Sequence, residues 1–518
     1  MAIARTHART YDTGDAPHDP PLATGAADEA HHCPRTARKW VLVVAVLASA
    51  LGFIDSSVVS IAIPAIRASL GASLEAAQWV QNAYLLALSA LILVGGAAGD
   101  RFGVRRTFLW GIVLFALASI LCAVAWSPSS LIVARGLKGA AAAFTVPLSL
   151  ALIAKNYPAK ERGRAIGIWA AASGITTAIG PLLGGWLLSA GGDEAWRWLF
   201  WINPPAALLA VFLLLRVPAD VPRDGDGLDW RGAALAVGAL GLLAYGLTAL
   251  GEGGAGSTIG VAAPTALLAG TAGAALFVWW EGRASNPMVE LSLFRSRAFV
   301  GANLLTFLIY FALGGVLFFL PMALVAGWGL SAAAVGTVFL PFTAVMAVVS
   351  GFAGDYAGRH GPRAPITLGA TTVALAFAWL AWRADVHSLA WTVYPAMTVL
   401  GLGMGMAVSP LSTAIMGAVD DGHSGEASGI NNAVSRMAGL FAVAALGVLV
   451  AAVFEGAGAG AGASVPALPP GTSFGDPSAS GAPGFAAASD AAFAALCWAC
   501  AALCLAGAAV AWTTQQGR

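Results

Sequence analysis

Long apolar runs recur along the whole sequence and constrain its fold more than any other feature. A helix needs about 20 residues to cross a hydrocarbon core of roughly 30 Å, and these runs reach that length. They lack the alternation of polar and apolar residues that an outer-membrane β-barrel requires. We therefore predict fourteen membrane-spanning helices, near residues 40–62, 79–99, 107–126, 130–154, 165–190, 198–216, 231–250, 259–280, 298–326, 333–354, 364–383, 389–416, 427–454 and 488–512.

The composition supports an all-α polytopic membrane protein. Hydrophobic residues make up 58% of the chain and charged residues only 10%, whereas about a quarter of the residues in a soluble domain are charged. We divide the chain into a disordered cytoplasmic tail, an N-terminal six-helix bundle, a linker with two inserted helices, helices 9 to 13 of a C-terminal bundle, a Gly/Ala/Pro-rich outer loop, and the last helix with a cytoplasmic tail. These segments occupy residues 1–38, 39–217, 218–285, 286–454, 455–487 and 488–518.

The positive charges are distributed unevenly between the two sides of the membrane. Most of the 27 Lys and Arg residues fall in the tails and in the connections on the side of the N-terminus. Cytoplasmic loops of membrane proteins carry such an excess. The sequence therefore predicts that both termini are cytoplasmic and that the chain is a multi-pass protein of the bacterial cytoplasmic (inner) membrane.

A motif is repeated after the second and the tenth predicted spans. Both Gly96–Arg106 and Gly351–Arg363 contain G-x-x-G-D-x-x-G followed by basic residues. The repeat indicates two related halves, spans 1 to 6 and 9 to 14, with spans 7 and 8 inserted between them. Many secondary transporters place their substrate site between two such repeats.

The first copy of this motif resembles the loop signature of the major facilitator superfamily. The fourteen predicted spans are similar to its drug:proton antiporter branch, which implies two six-helix bundles with two extra central helices. In that family the loop latches the two halves and gates their motion. The matching residues are Gly96, Asp100, Arg101, Gly103, Arg105 and Arg106.

Three further stretches resemble signatures of the same family. Residues 131–142 are similar to the span-4 signature, whose arginine, here Arg135, is linked to proton transfer. Residues 196–205 are similar to the start of span 6. Two positions depart from the pattern, since Lys138 stands where glutamine is usual and Ser60 where asparagine is common. The span-5 signature, which implies antiport and a close-packed seam with the other half, is matched by Gly174, Gly180, Pro181, Gly184 and Gly185.

Asp55 is the only acidic residue deep inside a predicted span. It lies about 22 Å along the helix from Trp40, and an ionised Asp near the bilayer centre costs roughly 2.5–3.5 kcal/mol. One interpretation is a packing role, with hydrogen bonds to neighbouring hydroxyls. The other is that desolvation favours the neutral acid, so that a proton, a cationic substrate and a conformational change compete at one carboxylate.

Other polar and aromatic residues are candidates for a substrate cavity. Cation–π contact with aromatic rings would suit flat hydrophobic cations, although the same rings also suit a membrane interface or a lipid-facing surface. Lys138 has the alternative of reaching the interface with its long side chain. Arg436 in span 13 is interpreted either as the corresponding element of the second half or as an anchor at the cytoplasmic end, and we favour the anchor. The candidate cavity residues are Ser56, Ser60, Tyr84, Phe307, Tyr310 and Phe311.

These features together predict a proton-coupled antiporter that exports small amphipathic, cationic drugs by alternating access. No lysine lies in a phosphate-binding G-x-x-x-x-G-K-[ST] motif, so we expect no ATP. The seven histidines are scattered through the tail and loops, and we expect no metal and no cofactor besides the proton gradient. We expect a monomer in the lipid bilayer, with protons and a small-molecule substrate as partners, no nucleic acid and no enzymatic activity. The alternatives are a dedicated exporter of one endogenous metabolite or antibiotic, and an uptake symporter.

Overall fold

The computed structural model describes residues 35–192, 194–218, 229–250, 261–285, 287–419, 424–460, 468, 472–479 and 481–515. Most of the predicted N-terminal tail, 1–34, lies outside these ranges. The described part contains helices α1 (Arg35–Leu70), α2 (Leu74–Phe102), α3 (Val104–Ala123), α4 (Pro128–Ala143), α5 (Val146–Asn156), α6 (Ala159–Ala190), α7 (Trp196–Trp201), α8 (Asn203–Leu214), α9 (Trp230–Leu250), α10 (Ala263–Glu281), α11 (Arg297–Met322), α12 (Ala332–Thr337), α13 (Phe339–His360), α14 (Arg363–Trp382), α15 (Tyr394–Gly417), α16 (Ser424–Gly460) and α17 (Phe485–Thr514).

Thirteen stretches of these helices are long and apolar enough to cross a membrane, and they match thirteen of the fourteen predicted spans. Three of them combine consecutive helices: α4 with α5, α7 with α8, and α12 with α13. The remaining predicted span corresponds to α6, in which the shorter stretch Ile179–Ala190 is apolar among the described residues. Large apolar side chains such as Leu268 and Leu208 face outward and are 73% and 71% exposed, as a lipid-facing surface requires.

The first span is longer than predicted. Its apolar pattern ends near residue 62, but α1 continues to Leu70. The helix continues because Arg67, which interrupts the apolar run, is buried and donates hydrogen bonds to the carbonyl oxygens of Ala72 and Phe474 at 3.2 and 2.8 Å. Asp55 therefore lies near the middle of this helix.

The helices form two bundles that meet along a few contacts. One half consists of α1–α8 and the other of α11–α17, while α9 and α10 pack against each other and α9 contacts α2 and α16. The halves touch where α2 meets α16, where α1 meets α11, and where α6 meets α12 and α13. We call the end of the bundle at which α1 begins the proximal end, and the end near Leu70 the distal end.

Candidate functional site

A buried ionic cluster lies in the middle of the first half. Asp55 on α1 accepts hydrogen bonds from two cations of α4, Arg135 Nη1 to Oδ2 at 2.6 Å and Lys138 Nζ to Oδ1 at 2.5 Å. All three side chains have no solvent-accessible surface. The sequence predicted the three residues as proton-coupling candidates, and the fold brings them into direct contact.

Helix α4 can present both cations because it packs tightly against α2. Residues 135 and 138 lie about one turn apart and so share a face. A Cβ atom added at Gly139 would meet the carbonyl oxygen of Tyr84 at 2.2 Å, so only glycine permits this approach. The Arg135 guanidinium lies over the Tyr84 ring, 4.3 Å from its centre, and its Nε donates to the Val80 carbonyl oxygen at 3.0 Å.

Lys138 is held by groups from three further helices. Its ammonium donates to Ser119 Oγ on α3 at 2.9 Å, and the same oxygen accepts a hydrogen bond from Asn203 of α8 at 3.0 Å. The rings of Phe115 and Phe200 lie 4.7 and 4.8 Å from the ammonium nitrogen. With no exposed surface, Lys138 does not reach the membrane interface, so the interfacial alternative is wrong.

With Lys138 protonated, the cluster carries an excess of one positive charge. Arginine side chains are always charged in proteins, and the single carboxylate of Asp55 compensates one of the two cations. Both oxygens of Asp55 are already occupied by the cations, so this residue does not rely on neighbouring hydroxyls for its hydrogen bonds. Burying an uncompensated charge is expensive, and the aromatic rings around the cations supply only part of the missing stabilisation.

A cavity lies next to the cluster, between the two halves. Its larger part has a volume of about 1140 Å³ and extends from Ser56 and Tyr310, near the middle of their helices, to Gly96 and Glu290 at the proximal end. A smaller part of about 220 Å³ extends toward Pro181 and is contiguous with the first through seven shared lining residues, Ser56, Tyr310, Leu313, Leu317, Phe342, Ser435 and Arg436. We call the two parts together the central cavity.

Some of the predicted cavity residues line this space and others do not. Ser56, Ser60 and Tyr310 lie in its wall. Tyr84 is instead buried beneath Arg135. Phe307 and Phe311 contact each other, with ring centres 5.8 Å apart, and line neither part of the cavity. Aromatic composition alone could not separate rings that face the cavity from rings that fill the bundle.

Arg436 is the functional candidate that sequence reasoning placed wrongly. It lines both parts of the central cavity and so is not an anchor at the end of its span. Its charge lies near Tyr84 and Tyr310. The cavity wall also contains Phe53 and Trp169, which pack edge to face with ring centres 6.4 Å apart. No sequence motif around Phe53 or Trp169 indicates that either residue lines a cavity.

The predicted gating loop is helical in the structure, since only Gly103 lies between α2 and α3, and this junction contacts its own half. Arg105 donates hydrogen bonds from Nε and Nη2 to the carbonyl oxygens of Leu214 and Leu215 at the end of α8, both at 3.2 Å. Gly103 adopts a φ of 90° between the two helices, a conformation that favours glycine. Gly96 lines the cavity, Arg101 lies over the Phe102 ring and Arg106 is exposed. The side chain of Asp100 lies outside the described residues.

Helix α6 packs against both halves. Cβ atoms added at Gly180 and Gly184 would meet Ser57 Oγ and Val58 Cγ2 of α1 at 2.4 and 2.2 Å, so these glycines face their own half rather than the other. The approach to the second half occurs at Gly185, where an added Cβ would lie 2.3 Å from the Ala332 carbonyl oxygen. Pro181 lines the smaller part of the cavity. The surroundings of Gly174 lie outside the described residues.

The distal end is closed by contacts between the halves. Arg67 of α1 donates to the Phe474 carbonyl oxygen at 2.8 Å and to Ser473 Oγ at 2.7 Å. Phe474, which precedes the last span, is fully buried against Phe319 and Phe454.

A second distal contact joins α1 to α7 within the first half. Glu194 accepts hydrogen bonds from Arg197 and from the Ser69 hydroxyl. These two partners hold the pKa of the exposed Glu194 carboxyl below its ordinary value, Arg197 more than Ser69.

Sequence comparison identifies the family to which these features correspond. The family model described as Major Facilitator Superfamily matches residues 45–444. The multidrug resistance protein Stp of Mycobacterium tuberculosis is 35% identical over 416 residues, which cover 79% of this chain and 76% of that protein. The tetracenomycin C resistance and export protein of Streptomyces glaucescens is 33% identical over 420 residues, covering 80% of this chain and 76% of the relative.

A solved structure shares the fold at low sequence identity. The crystal structure of a bacterial homolog to the human lysosomal transporter Spinster, in an inward-facing and occupied conformation, superposes with a TM-score of 0.64. The match covers 93% of this chain and 97% of that chain at 15% identity. At this identity the likeness concerns the arrangement of the helices alone.

Proposed function

This chain belongs to the major facilitator superfamily, and we propose that it exports small amphipathic molecules across the bacterial cytoplasmic membrane in exchange for protons. The observation that carries the proposal is the buried cluster of Asp55, Arg135 and Lys138 beside a cavity whose described wall extends to the proximal end. An intramembrane ionic cluster is costly and functional by default. Relatives described as multidrug resistance and antibiotic export proteins support outward transport.

The arrangement of the two ends supports alternating access. Among the described residues, the central cavity extends to the proximal end, while the Arg67 and Gly185 contacts hold the distal ends of the halves together. The excess of positive charge at the proximal end favours its cytoplasmic location. We propose that the cavity loads from the cytoplasm in this state. The distal contacts then break, and the junction of α2 and α3 around Arg105 forms new contacts that close the proximal end.

The charge balance of the cluster favours Lys138 as the group that gains and loses the proton. If Asp55 were protonated, two cations would remain in a site with no solvent contact, whereas loss of a proton from Lys138 makes the cluster neutral. The groups around Lys138 are Asp55, Arg135, the Ser119 hydroxyl and the Cys122 thiol, together with the rings described above. Asp55 is the only carboxylate among them, so it stabilises the protonated amine.

Helix α1 provides a direct connection between proton and substrate. Asp55 faces the cluster, and the next residue, Ser56, lines the cavity. When Lys138 loses its proton, its attraction to Asp55 weakens, and α1 is free to shift against α4. The same shift moves the cavity wall. Because one helix carries both groups, occupancy of the cavity and protonation of the cluster affect each other.

The proposal is tested with inside-out membrane vesicles that contain the whole chain. Vesicles energised by respiration should accumulate fluorescent aromatic compounds from a panel that includes both cations and anions, and a protonophore should abolish this accumulation. Asp55→Asn should also abolish it, while the protein remains in the membrane. Uptake that needs ATP after the proton gradient has collapsed, or uptake that Asp55→Asn leaves unchanged, would contradict the proposal.

A dedicated exporter of one antibiotic is the second candidate. It is supported by the similarity to the tetracenomycin C resistance and export protein over 80% of this chain. The two candidates differ in breadth. A multidrug exporter should raise the minimum inhibitory concentrations of several unrelated compounds when it is expressed in a sensitive host. A dedicated exporter should protect against one compound and its close analogues only.

A further inference from the structure

We propose that the central cavity selects aromatic anions, and that Arg436 is the residue that binds their acidic group. This inference adds a substrate class to the proposed export function and depends on it only in taking the central cavity as the substrate path. The sequence alone favoured cationic substrates, because Asp55 was expected to meet them. In the structure, Asp55 is instead surrounded by Arg135 and Lys138.

Asp55 does not offer its charge to a molecule in the cavity. It is 1% exposed, both of its oxygens bind cations of α4, and it does not line either part of the cavity. A cationic substrate would instead meet a wall backed by a cluster with excess positive charge. The electrostatic effect of the cluster on the cavity is therefore unfavourable to cations.

Arg436 is the only charged residue in the described wall of the smaller, inner part of the cavity. Within the described part of the chain its guanidinium makes no salt bridge, and its buried Nε has no hydrogen-bond partner. Guanidinium groups present a planar set of donors that matches a carboxylate in two parallel hydrogen bonds. An unpartnered arginine at the centre of a transport cavity is therefore suited to an anionic ligand.

Among the described lining residues of the cavity, the acidic ones lie at its proximal mouth. Asp229 accepts hydrogen bonds from the Gly232 backbone and the Trp280 indole, and Glu290 accepts one from Ser292. Both belong to the segments next to α9 and α11 at the proximal end, whereas Arg436 also lines the inner part that they do not reach. They do not compensate the charge of Arg436 where a ligand would bind.

The rest of the wall fits a flat ring system with polar substituents. Phe53, Trp169, Phe339 and Phe342 supply aromatic surface. Hydroxyl groups come from Ser56, Ser57, Ser60, Ser435, Thr343 and Tyr310, and from Ser285 at the proximal mouth. A volume of about 1140 Å³ exceeds what most drug-sized ligands need. The site thus combines stacking surface, hydroxyl groups and one cation.

A negative charge on the substrate also changes the driving force for its export. Exchange of one incoming proton for one outgoing anion moves two positive charges inward per cycle, whereas exchange for a monovalent cation moves none. Each charge that crosses a potential of 100 mV changes the attainable gradient about 50-fold. Export of an anion would therefore respond to the membrane potential as well as to the pH gradient.

The test uses three probes that share one ring system and differ in charge. They are 9-anthracenecarboxylate, 9-anthracenemethanol and 9-anthracenemethylammonium, and their fluorescence reports binding to the purified full-length chain in lipid nanodiscs at neutral pH. We expect the carboxylate to bind at least about tenfold more tightly than the alcohol, and the ammonium compound to bind most weakly. In Arg436→Gln the carboxylate should lose this advantage, and in Arg436→Lys it should keep part of it.

A matched control separates this effect from any general loss of positive charge. Arg363 stacks on Trp512 and does not line the cavity, so Arg363→Gln should leave the order of affinities unchanged. The inference is overturned if the ammonium probe binds as tightly as the carboxylate, if folded Arg436→Gln keeps the preference, or if no probe binds. Binding needs no gradient, so failed proton coupling in vesicles would refute the proposed function without altering this result.

Discussion

Removing the acid and removing the surplus cation from the ionic cluster should have opposite consequences for stability. Among the described residues, Asp55 supplies the only carboxylate that bonds to Arg135 and Lys138, whose nitrogens lie 2.6 and 2.5 Å from its oxygens, and Asp55→Asn removes it. Lys138→Met deletes the cation in excess and leaves a neutral Asp55–Arg135 pair. The flexible thioether fits between the rings of Phe115 and Phe200.

The expected changes in unfolding free energy follow from the absence of solvent around the side chains of the cluster. Breaking a buried ion pair by removing one partner costs about 3–5 kcal/mol, because a charge remains without compensation. We expect Asp55→Asn to lose this amount of unfolding free energy. Lys138→Met should stay within about 1 kcal/mol of the wild type, since it relieves a repulsion between cations while losing a favourable contact.

The dependence on pH provides a second prediction for the same pair of variants. In Asp55→Asn the charged Lys138 is destabilising, and it can lose its proton as the pH rises. The stability deficit of Asp55→Asn should therefore shrink toward alkaline pH. The double variant Asp55→Asn/Lys138→Met has no such amine, so its deficit should change less with pH.

The assay is unfolding by sodium dodecyl sulfate in mixed micelles, followed by the fluorescence of the 18 tryptophans. Transport is measured on the same preparations, because Lys138→Met should be stable and yet uncoupled from the proton gradient. The reasoning is refuted if Lys138→Met loses as much stability as Asp55→Asn. That outcome would mean that the cluster has no excess positive charge to relieve.

Two further predictions concern helix contacts. Gly139→Ala places a methyl group 2.2 Å from the Tyr84 carbonyl oxygen and should cost about 1–3 kcal/mol of unfolding free energy. The control Gly136→Ala, whose nearest atom is 4.0 Å away, should be nearly neutral. Equal losses of stability in the two variants would contradict the close packing of α4 against α2. Arg67→Gln should loosen the contacts that close the distal end. A Ser60→Cys reporter should then be labelled faster by an impermeant maleimide added outside. An unchanged labelling rate would show that Arg67 does not hold this end closed.

The sequence was sufficient for the helices and for the residues of the cluster. Apolar length predicts thirteen of the observed spans, because crossing a bilayer imposes a length and a composition on each helix. Asp55 is recognisable because a carboxylate in an apolar helix needs a partner. What the sequence could not supply is which neighbours compensate it, since α1 and α4 meet only in the folded bundle.

The cavity was less predictable, because its wall is drawn from helices of both halves. Arg436 lies in the first part of its span, where an interfacial anchor is an ordinary interpretation. Only the packing of α16 against the first half shows that the Arg436 side chain faces the cavity. Similarly, Tyr310 and Phe307 lie on the same helix and are both aromatic, yet one faces the cavity and the other packs against Phe441. The rotation of α11 about its own axis determines which of its aromatic rings face the cavity, and the apolar pattern of α11 does not determine that rotation.

The most direct measurement of the central claim is proton movement coupled to substrate in proteoliposomes that contain the purified chain and a trapped pH indicator. An outward substrate gradient should drive protons inward in the wild type. Lys138→Arg keeps the positive charge but cannot release a proton, so it should abolish this proton movement while exchange of labelled for unlabelled substrate continues. The account would be contradicted if the wild type moved no protons, or if Lys138→Arg moved them at the wild-type rate.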